Sequence, residues 1–241
     1  MNTLKNKLKK LKLAGVAETI DTQNRYAIDK NISYMEFLEL IIDDELANRE
    51  SNSYKKRLST SKLHTQKTLE TFDFSVSELE QREIMDLALC NFLAKAQNLI
   101  FMGNPGTGKS HLANALGLQA IQKGKNVLFT DTTAMLNNLY ASRADGTYKR
   151  VIAKYIKPDL LILDEIGFKQ LNREVMDDLF EIVKSRYEEN SIIITTNRNF
   201  EEWGDMIGDD VLASAIIDRL LHHSKIFKLK GNSYRMKKFV A

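Results

Sequence analysis

At 241 residues with 43% hydrophobic content, the chain can bury a sizeable core as one large domain or one domain plus an appendage. No apolar run is long enough to span a bilayer, the first residues do not have the make-up of a signal peptide, and Cys90 stands alone, which excludes a disulfide framework or a cysteine-based zinc site and points to a cytoplasmic protein. The formal charge of +3 hides local bias: residues 49–67 hold six basic side chains against Glu50, residues 142–158 hold five against Asp145, and from Arg219 to Ala241 there are seven and no acid. Such patches suit a phosphate-rich partner.

In chain order, residues 2–22 read as a basic amphipathic helix, with Leu4, Leu8 and Leu11 at helical spacing and lysines off that face. Ser33 and Glu36 fit a capping box, opening a helix that carries Phe37, Leu38, Ile41, Ile42 and Leu46. Residues 1–66 are therefore expected to form a small all-helical domain, either a packed appendage or a docking arm for DNA or a partner, with the main domain over 67–241. Thr68–Phe74 reads as the junction, followed by a helix from a cap at Ser75 through Leu79, Ile84, Leu87, Ala88 and Phe92.

Leu99–Met102 is a short apolar run of the kind a buried strand has, and a glycine-rich turn follows at once, then a helical pattern over His111–Gln122. Gly103, Gly108, Lys109 and Ser110 fit the phosphate-binding pattern G-x-x-x-x-G-K-[ST] in the strand–loop–helix setting that it requires. Candidate nucleotide-binding residues are Gly103, Asn104, Pro105, Gly106, Thr107, Gly108, Lys109, Ser110 and His111. Backbone N–H groups of the loop form an anion nest at a helix N-terminus, Lys109 reaches the outer phosphates, and the Ser110 hydroxyl takes one position on Mg²⁺. Asn126–Thr130 is a second strand; Thr133–Ala141 and Tyr148–Ile156 read as helices before Lys157-Pro158 breaks the pattern.

Asp159–Glu165 is an apolar strand ending in two acids, and ligands of parallel sheets sit at the carboxyl ends of strands. Asp164 is the candidate Mg²⁺ ligand with Ser110, and Glu165 the candidate base for the attacking water. After a helix over Asp177–Glu189, Ser191–Asn197 repeats the pattern, with Asn197 placed for the γ-phosphate or the water. A helix over Asp210–His223 and a last strand, Ile226–Leu229, complete five strands alternating with helices, which implies a parallel sheet flanked by helices. There is no Asn-Lys-x-Asp guanine reader and no Leu-Ser-Gly-Gly transporter signature; an AAA+ ATPase with a doubly wound α/β sheet accounts for the whole set.

The chain resembles, over nearly its whole length, the IstB family of insertion-sequence transposition helper ATPases, relatives of the DnaC helicase loaders. The resemblance lies in Leu8–Ala17, Thr68–Phe74, Gly103–Ser110, Leu160–Gly167, Ile193–Asn197, Glu202-Trp203-Gly204, Ala215–His223 and Gly231–Arg235. It implies that Asn197 is the sensor-1 residue, Arg219 an arginine finger supplied to a neighbouring subunit, and Arg235 a sensor-2 arginine acting on the subunit's own nucleotide. It places Arg143, Lys149 and Arg150 where initiator and loader ATPases carry an extra helix facing nucleic acid, a basic track that Lys154 and Lys157 would extend. It further implies ATP and Mg²⁺ as cofactors, a homo-oligomer with nucleotide at subunit interfaces, duplex DNA and a transposase of the IstA type as partners, and no membrane. The expected activity is DNA-stimulated ATP hydrolysis in support of transposition. The alternatives are a replicative helicase loader, told apart by its partner and a preference for single strands, and a nucleotide-gated interaction module that does not hydrolyse. Phe72 and Phe74 are candidates for packing near the adenine, or for the core.

Overall fold

The computed structural model describes residues 2–166, 173–203, 209–231 and 234. Its contacts divide the chain into two compact units, Met1–Lys56 and Arg57–Ala241.

The described part of the first unit is helical: α1 (Asn2–Lys10), α2 (Ala14–Lys30) and most of α3 (Tyr34–Ser61), whose last turn falls in the second unit. The single helix expected over 2–22 is two, because Lys12 takes a left-handed conformation at φ 59° and the Leu13 N–H turns back to the Leu8 carbonyl at 2.9 Å. That closing pattern normally uses glycine. Gly15 stands where α2 meets α3; a Cβ there would lie 2.8 Å from the Asp44 carbonyl oxygen. The buried Glu45 carboxylate accepts from the Val16 N–H at the start of α2 (3.3 Å) and pairs with Arg49 (2.7 Å). The expected capping box forms: the Ser33 N–H donates to Glu36 at 2.7 Å and the Glu36 N–H to the Ser33 hydroxyl at 3.2 Å.

The second unit is built on a five-stranded, wholly parallel sheet in the order β2-β3-β4-β1-β5. The strands are β1 (Asn98–Gly103), β2 (Val127–Asp131), β3 (Leu160–Ile166), β4 (Ser191–Thr196) and β5 (Ser224–Leu229). This is the AAA+ P-loop architecture read from the motifs. The helices are α4 (Gln81–Leu87), α5 (Asn91–Ala94), α6 (Lys109–Gln122), α7 (Thr132–Ala144), α8 (Tyr148–Ile156), α9 (Arg173–Arg186) and α10 (Asp210–His222). Because side chains alternate across a strand, β3 splits its apolar run between two layers. Ile162 faces α6, where Gly117 leaves room that a Cβ, 2.8 Å from Ile162 Cδ1, would fill. Leu161 and Leu163 join Ile100, Ile192 and Ile194 in a core with Met135 and Leu139 of α7, Leu179 and Ile182 of α9 and Ile216 and Leu220 of α10.

The helix expected from Ser75 is broken. Asp73 takes the cap and holds Phe74–Val76 as a short 3-10 turn, α4 starts only at Gln81, and Cys90 at φ 62° separates it from α5. Short polar side chains that hydrogen-bond the nearby backbone compete with helix formation in this way. β5 starts two residues earlier than expected, because it pairs with β1 from Asn98↔Ser224 onward. α9 covers Arg173–Arg186 rather than 177–189.

Arg186 is 1% exposed. Its Nη1 donates to the carbonyls of Tyr155 (3.1 Å), Ile156 (2.8 Å) and Pro158 (2.8 Å), and its Nη2 to Ser191 (2.7 Å) and Asp159 (3.5 Å). Burial pulls its pKa down to about 10, so it remains a cation at neutral pH. A second ionic joint ties α7, α8 and α9: Arg143 grips the 1%-exposed Asp178 with both terminal nitrogens (2.9 and 2.6 Å). The Tyr148 hydroxyl donates to the same carboxylate at 2.6 Å. Burial and Asp178 push that phenol up to about 12. Among the described residues no helix is long and apolar enough to cross a membrane.

Candidate functional site: the phosphate loop and the bulge of β3

The glycines are where the backbone needs them. At Gly103 (φ 152°) an added Cβ would sit 2.1 Å from the Leu229 carbonyl oxygen, so β1 and β5 come together there only without a side chain. Gly108 (φ 95°) precedes the first residue of α6, and its Cβ would lie 2.6 Å from the Phe72 ring. The loop between them follows β1, which lies between β4 and β5, and aims the N-terminus of α6 at a cleft of about 230 Å³. Pro105 to His111 line one side, and Glu165, Thr195, Thr196 and Asn197 another; Lys67, Thr71, Phe72, Asp73 and Tyr234 complete it. Lys109 is nearly buried and donates to the carbonyls of Gly103 and Asn104, both at 2.7 Å. Gly103 and Asn104 thus serve through their carbonyls and do not line the cleft. Tyr234 closes on the loop, its N–H donating to the Gly106 carbonyl at 3.0 Å.

Phe72 is carried to the loop by α6 itself. The buried Asn114 amide binds the His64 N–H and carbonyl, each at 2.8 Å, and the Lys67 carbonyl at 3.0 Å. One turn earlier, His111 Nε2 contacts the Thr68 carbonyl at 2.7 Å and the Thr71 hydroxyl at 3.2 Å. These two side chains pin residues 64–71 along α6, and Phe72 then packs edge-on against His111 and Phe74. A flat apolar ring beside a phosphate loop is a surface on which a nucleobase can lie.

The second acid motif is distorted for a reason. In an ordinary strand Asp164 and Glu165 would point to opposite faces. Here β3 carries one extra residue against β4: Leu163 pairs with Ile194, but Ile166 with Thr196. Glu165 occupies the bulge at φ 60°, a conformation that costs a non-glycine residue about 1–2 kcal/mol. Thr195, which is buried, holds it. Its hydroxyl accepts from the Glu165 N–H at 2.9 Å and donates to Asp164 Oδ1 at 2.5 Å. Glu165 is thereby exposed at the cleft, while Asp164 keeps its second oxygen for another ligand. Ser110 at the cleft wall and the Asp164 carboxylate are hard oxygen donors of the type Mg²⁺ takes. Thr195 was not among the candidates read from the sequence. The only signal was its place in Thr195-Thr196-Asn197, where Asn197 drew the attention.

Arg219 does not line this cleft. It lies on α10, donates to its own helix at Ala215 (2.8 Å) and stacks over Phe180 of α9 with 5.0 Å to the ring centroid. Arg235 lies outside the described residues, as do Gly167 and Gly204. Of the expected DNA-facing residues, Lys149, Arg150 and Lys154 are exposed on α8, opposite the buried Val151, Ile152 and Tyr155. Arg143 is exposed as well, but it is already engaged within the protein. Its guanidinium is committed to Asp178 and to the Tyr148 ring at 4.8 Å, because a buried carboxylate needs a partner more than the surface needs a charge.

Comparison with known proteins agrees with this geometry. The chain is 38% identical over 229 residues to an insertion sequence IS5376 ATP-binding protein of Geobacillus stearothermophilus, covering 95% of this chain and 91% of that one. It is 37% identical over 238 residues to the insertion sequence IS21 ATP-binding protein of Pseudomonas aeruginosa, covering 98% and 90%. Among solved structures, the DnaC helicase loader superposes with a TM-score of 0.60 at 22% identity over 69% of this chain and 98% of that chain, a likeness of fold. With a match over residues 6–240 to the family described as IstB-like ATP binding protein, the chain belongs to that family.

Proposed function

We propose that this protein is an ATP-dependent, DNA-binding ATPase that assembles on duplex DNA and assists a partner transposase in choosing its target. The observation that carries the reading is the bulge in β3, which spends backbone strain to face a carboxylate into the cleft at the end of a phosphate loop. Strain of this sort is kept at sites where chemistry needs it. A nucleotide-gated module without hydrolysis has no use for Glu165 in that position.

In this reading the loop amides and Lys109 bind the phosphates, and Phe72 receives the adenine. Ser110 and Asp164 hold Mg²⁺, which when bound neutralises phosphate charge. Glu165 takes the proton from the attacking water, and Asn197 orients that water. Arg219 acts on the nucleotide of a neighbouring copy after leaving Ala215 and Phe180, since its fork matches phosphate oxygens and it is always charged. Arg235 is assigned to the subunit's own nucleotide. The helical N-terminal unit is the docking arm. The transposase is drawn from the insertion-sequence relatives, and DNA from the exposed cations of α8.

The test is phosphate release by the full chain with duplex DNA present, against the Lys109→Ala variant. Turnover should be stimulated by DNA and abolished by the substitution; equal rates would leave only the module reading. Replacing Lys149, Arg150 and Lys154 together by alanine should weaken duplex binding irrespective of sequence. It should also flatten the plot of log K against log salt by about three in slope, roughly one per phosphate contact. An unchanged slope would move the DNA face elsewhere.

Thr195 is proposed as a positioning residue. Thr195→Val keeps the volume and removes the hydroxyl that both acids use, so turnover should fall about 10–100-fold with the KM for ATP changed less than about threefold. Thr195→Ser should restore most of it. A variant with unchanged kcat, or a serine that fails to rescue, would reduce Thr195 to packing.

A further inference from the structure

At the edge of the sheet where the strands begin, away from the cleft, two histidines and a carboxylate meet. His222 is the last residue of α10, His223 caps it, and Glu188 follows α9 by two residues. One nitrogen from each imidazole and one carboxylate oxygen lie within 4.8 Å of one another, and all three residues are exposed. We infer that His222, His223 and Glu188 form a binding site for a divalent transition-metal ion of the Zn²⁺ class, independent of nucleotide.

The donor set selects the ion. Two imidazoles with one carboxylate favour Zn²⁺, Ni²⁺, Co²⁺ or Cu²⁺ over Mg²⁺, which takes oxygen ligands. Metal–ligand distances of about 2.0–2.2 Å bring donors to roughly 3–3.5 Å apart. His223 Nε2 and Glu188 Oε1 already stand at 3.4 Å, and the remaining approach needs only rotation of exposed side chains. The backbone is prepared for it. The His223 carbonyl accepts from the Asn98 N–H at 2.7 Å, which ties it to β1, and Glu188 is turned at φ 60° after the end of α9. His222 also has the outer partner that ligating histidines have: its Nδ1 is 2.7 Å from the Tyr187 hydroxyl. With Nδ1–H donated to that oxygen, Nε2 presents its lone pair to the ion. Tyr187 packs against both imidazoles, with ring centroids at 5.8 and 6.5 Å, and limits their orientations. An ion here staples the end of α9 to the end of α10, one helical turn past Arg219.

The experiment titrates Co²⁺ and Zn²⁺ into the tag-free full chain, followed by Co²⁺ absorption, calorimetry and thermal melting, with Mg²⁺ as control. Binding of one ion per chain is expected, with a rise in Tm on adding Zn²⁺ and none with Mg²⁺. His222→Ala, His223→Ala and Glu188→Gln should each weaken Co²⁺ binding by about tenfold or more. His64 and His111, the other two of the four histidines, stay in place, so any residual non-specific uptake is read in the same series. Binding unchanged in the histidine variants, or none by the parent chain below about 1 mM, overturns the site. If Glu188→Gln alone folds and melts as the parent does yet binds equally well, the carboxylate is no ligand and the three-residue site falls. Because the readouts need no ATP, they stand apart from the fate of the ATPase reading.

Discussion

Replacing Glu165 by glutamine should leave ATP binding within about twofold of the parent and lower turnover by about 10²–10⁴-fold, the range for losing a positioned general base. The substitution is nearly isosteric, so the expectation rests on one proton. Glutamine can keep the φ of 60° that the bulge imposes, and the Thr195 hydroxyl still accepts from the backbone N–H of residue 165. The carboxylate that faces the cleft is all that goes. Under the proposed function, in which hydrolysis would reset an assembly on DNA, the variant should also stay loaded with ATP and dissociate from duplex DNA more slowly. Single-turnover phosphate release with a filter-binding measurement of ATP separates the two effects. A variant that loses ATP binding instead would make Glu165 a ligand-holding residue, and one that turns over normally would remove it from the chemistry.

The second large effect is on stability. Arg186→Ala should lower the stability of the second unit by about 3–5 kcal/mol, because it leaves several buried carbonyls without a donor and a cavity where the side chain packed. For a domain of this size that corresponds to a fall in Tm of roughly 6–20 °C. The guanidinium serves carbonyls that have no other use: those of Tyr155 and Ile156 belong to the last turn of α8, where helix carbonyls lack intrahelical donors. Its other contacts, to Pro158, Asp159 and Ser191, hold the entrances of β3 and β4 side by side. Each acceptor left dry costs about 1–3 kcal/mol, partly recovered by water entering the gap. Arg186→Lys should recover less than half, since an ammonium cannot spread its donors over two strands as the planar fork does. Calorimetry or chemical denaturation reads it directly. A loss under about 1 kcal/mol for the alanine variant would mean that water replaces the guanidinium at little cost.

Much of the site was legible because phosphate chemistry restricts local sequence. A loop that must bring its backbone to an anion needs glycines, and they stand at Gly103, Gly106 and Gly108 in a strand–loop–helix context that can be read without coordinates. The ends of β3 and β4 were legible for a similar reason: an apolar run that stops at acids or amides marks a buried strand opening onto polar chemistry. Helix ends were read less well. The breaks at Lys12 and Cys90 use left-handed residues that are not glycine, so no residue type announces them. The ion pair of the exposed Arg143 was not legible, because a charge run carries no information about the carboxylate thirty-five residues later that it meets.

The five strands in their order along the chain, the phosphate loop, the paired acids and the alternation that yields a parallel sheet were determined by the sequence alone, since each depends on neighbours within a few residues. What only the tertiary structure decided are matters of register and long-range pairing. These are the extra residue in β3 that turns Glu165 into the cleft, the Thr195 hydroxyl that holds it, the placing of Phe72 by His111 and Asn114, and the burial of Arg186. Their common cause is that hydrogen-bond partners across strands and layers are chosen by packing, which no local pattern encodes.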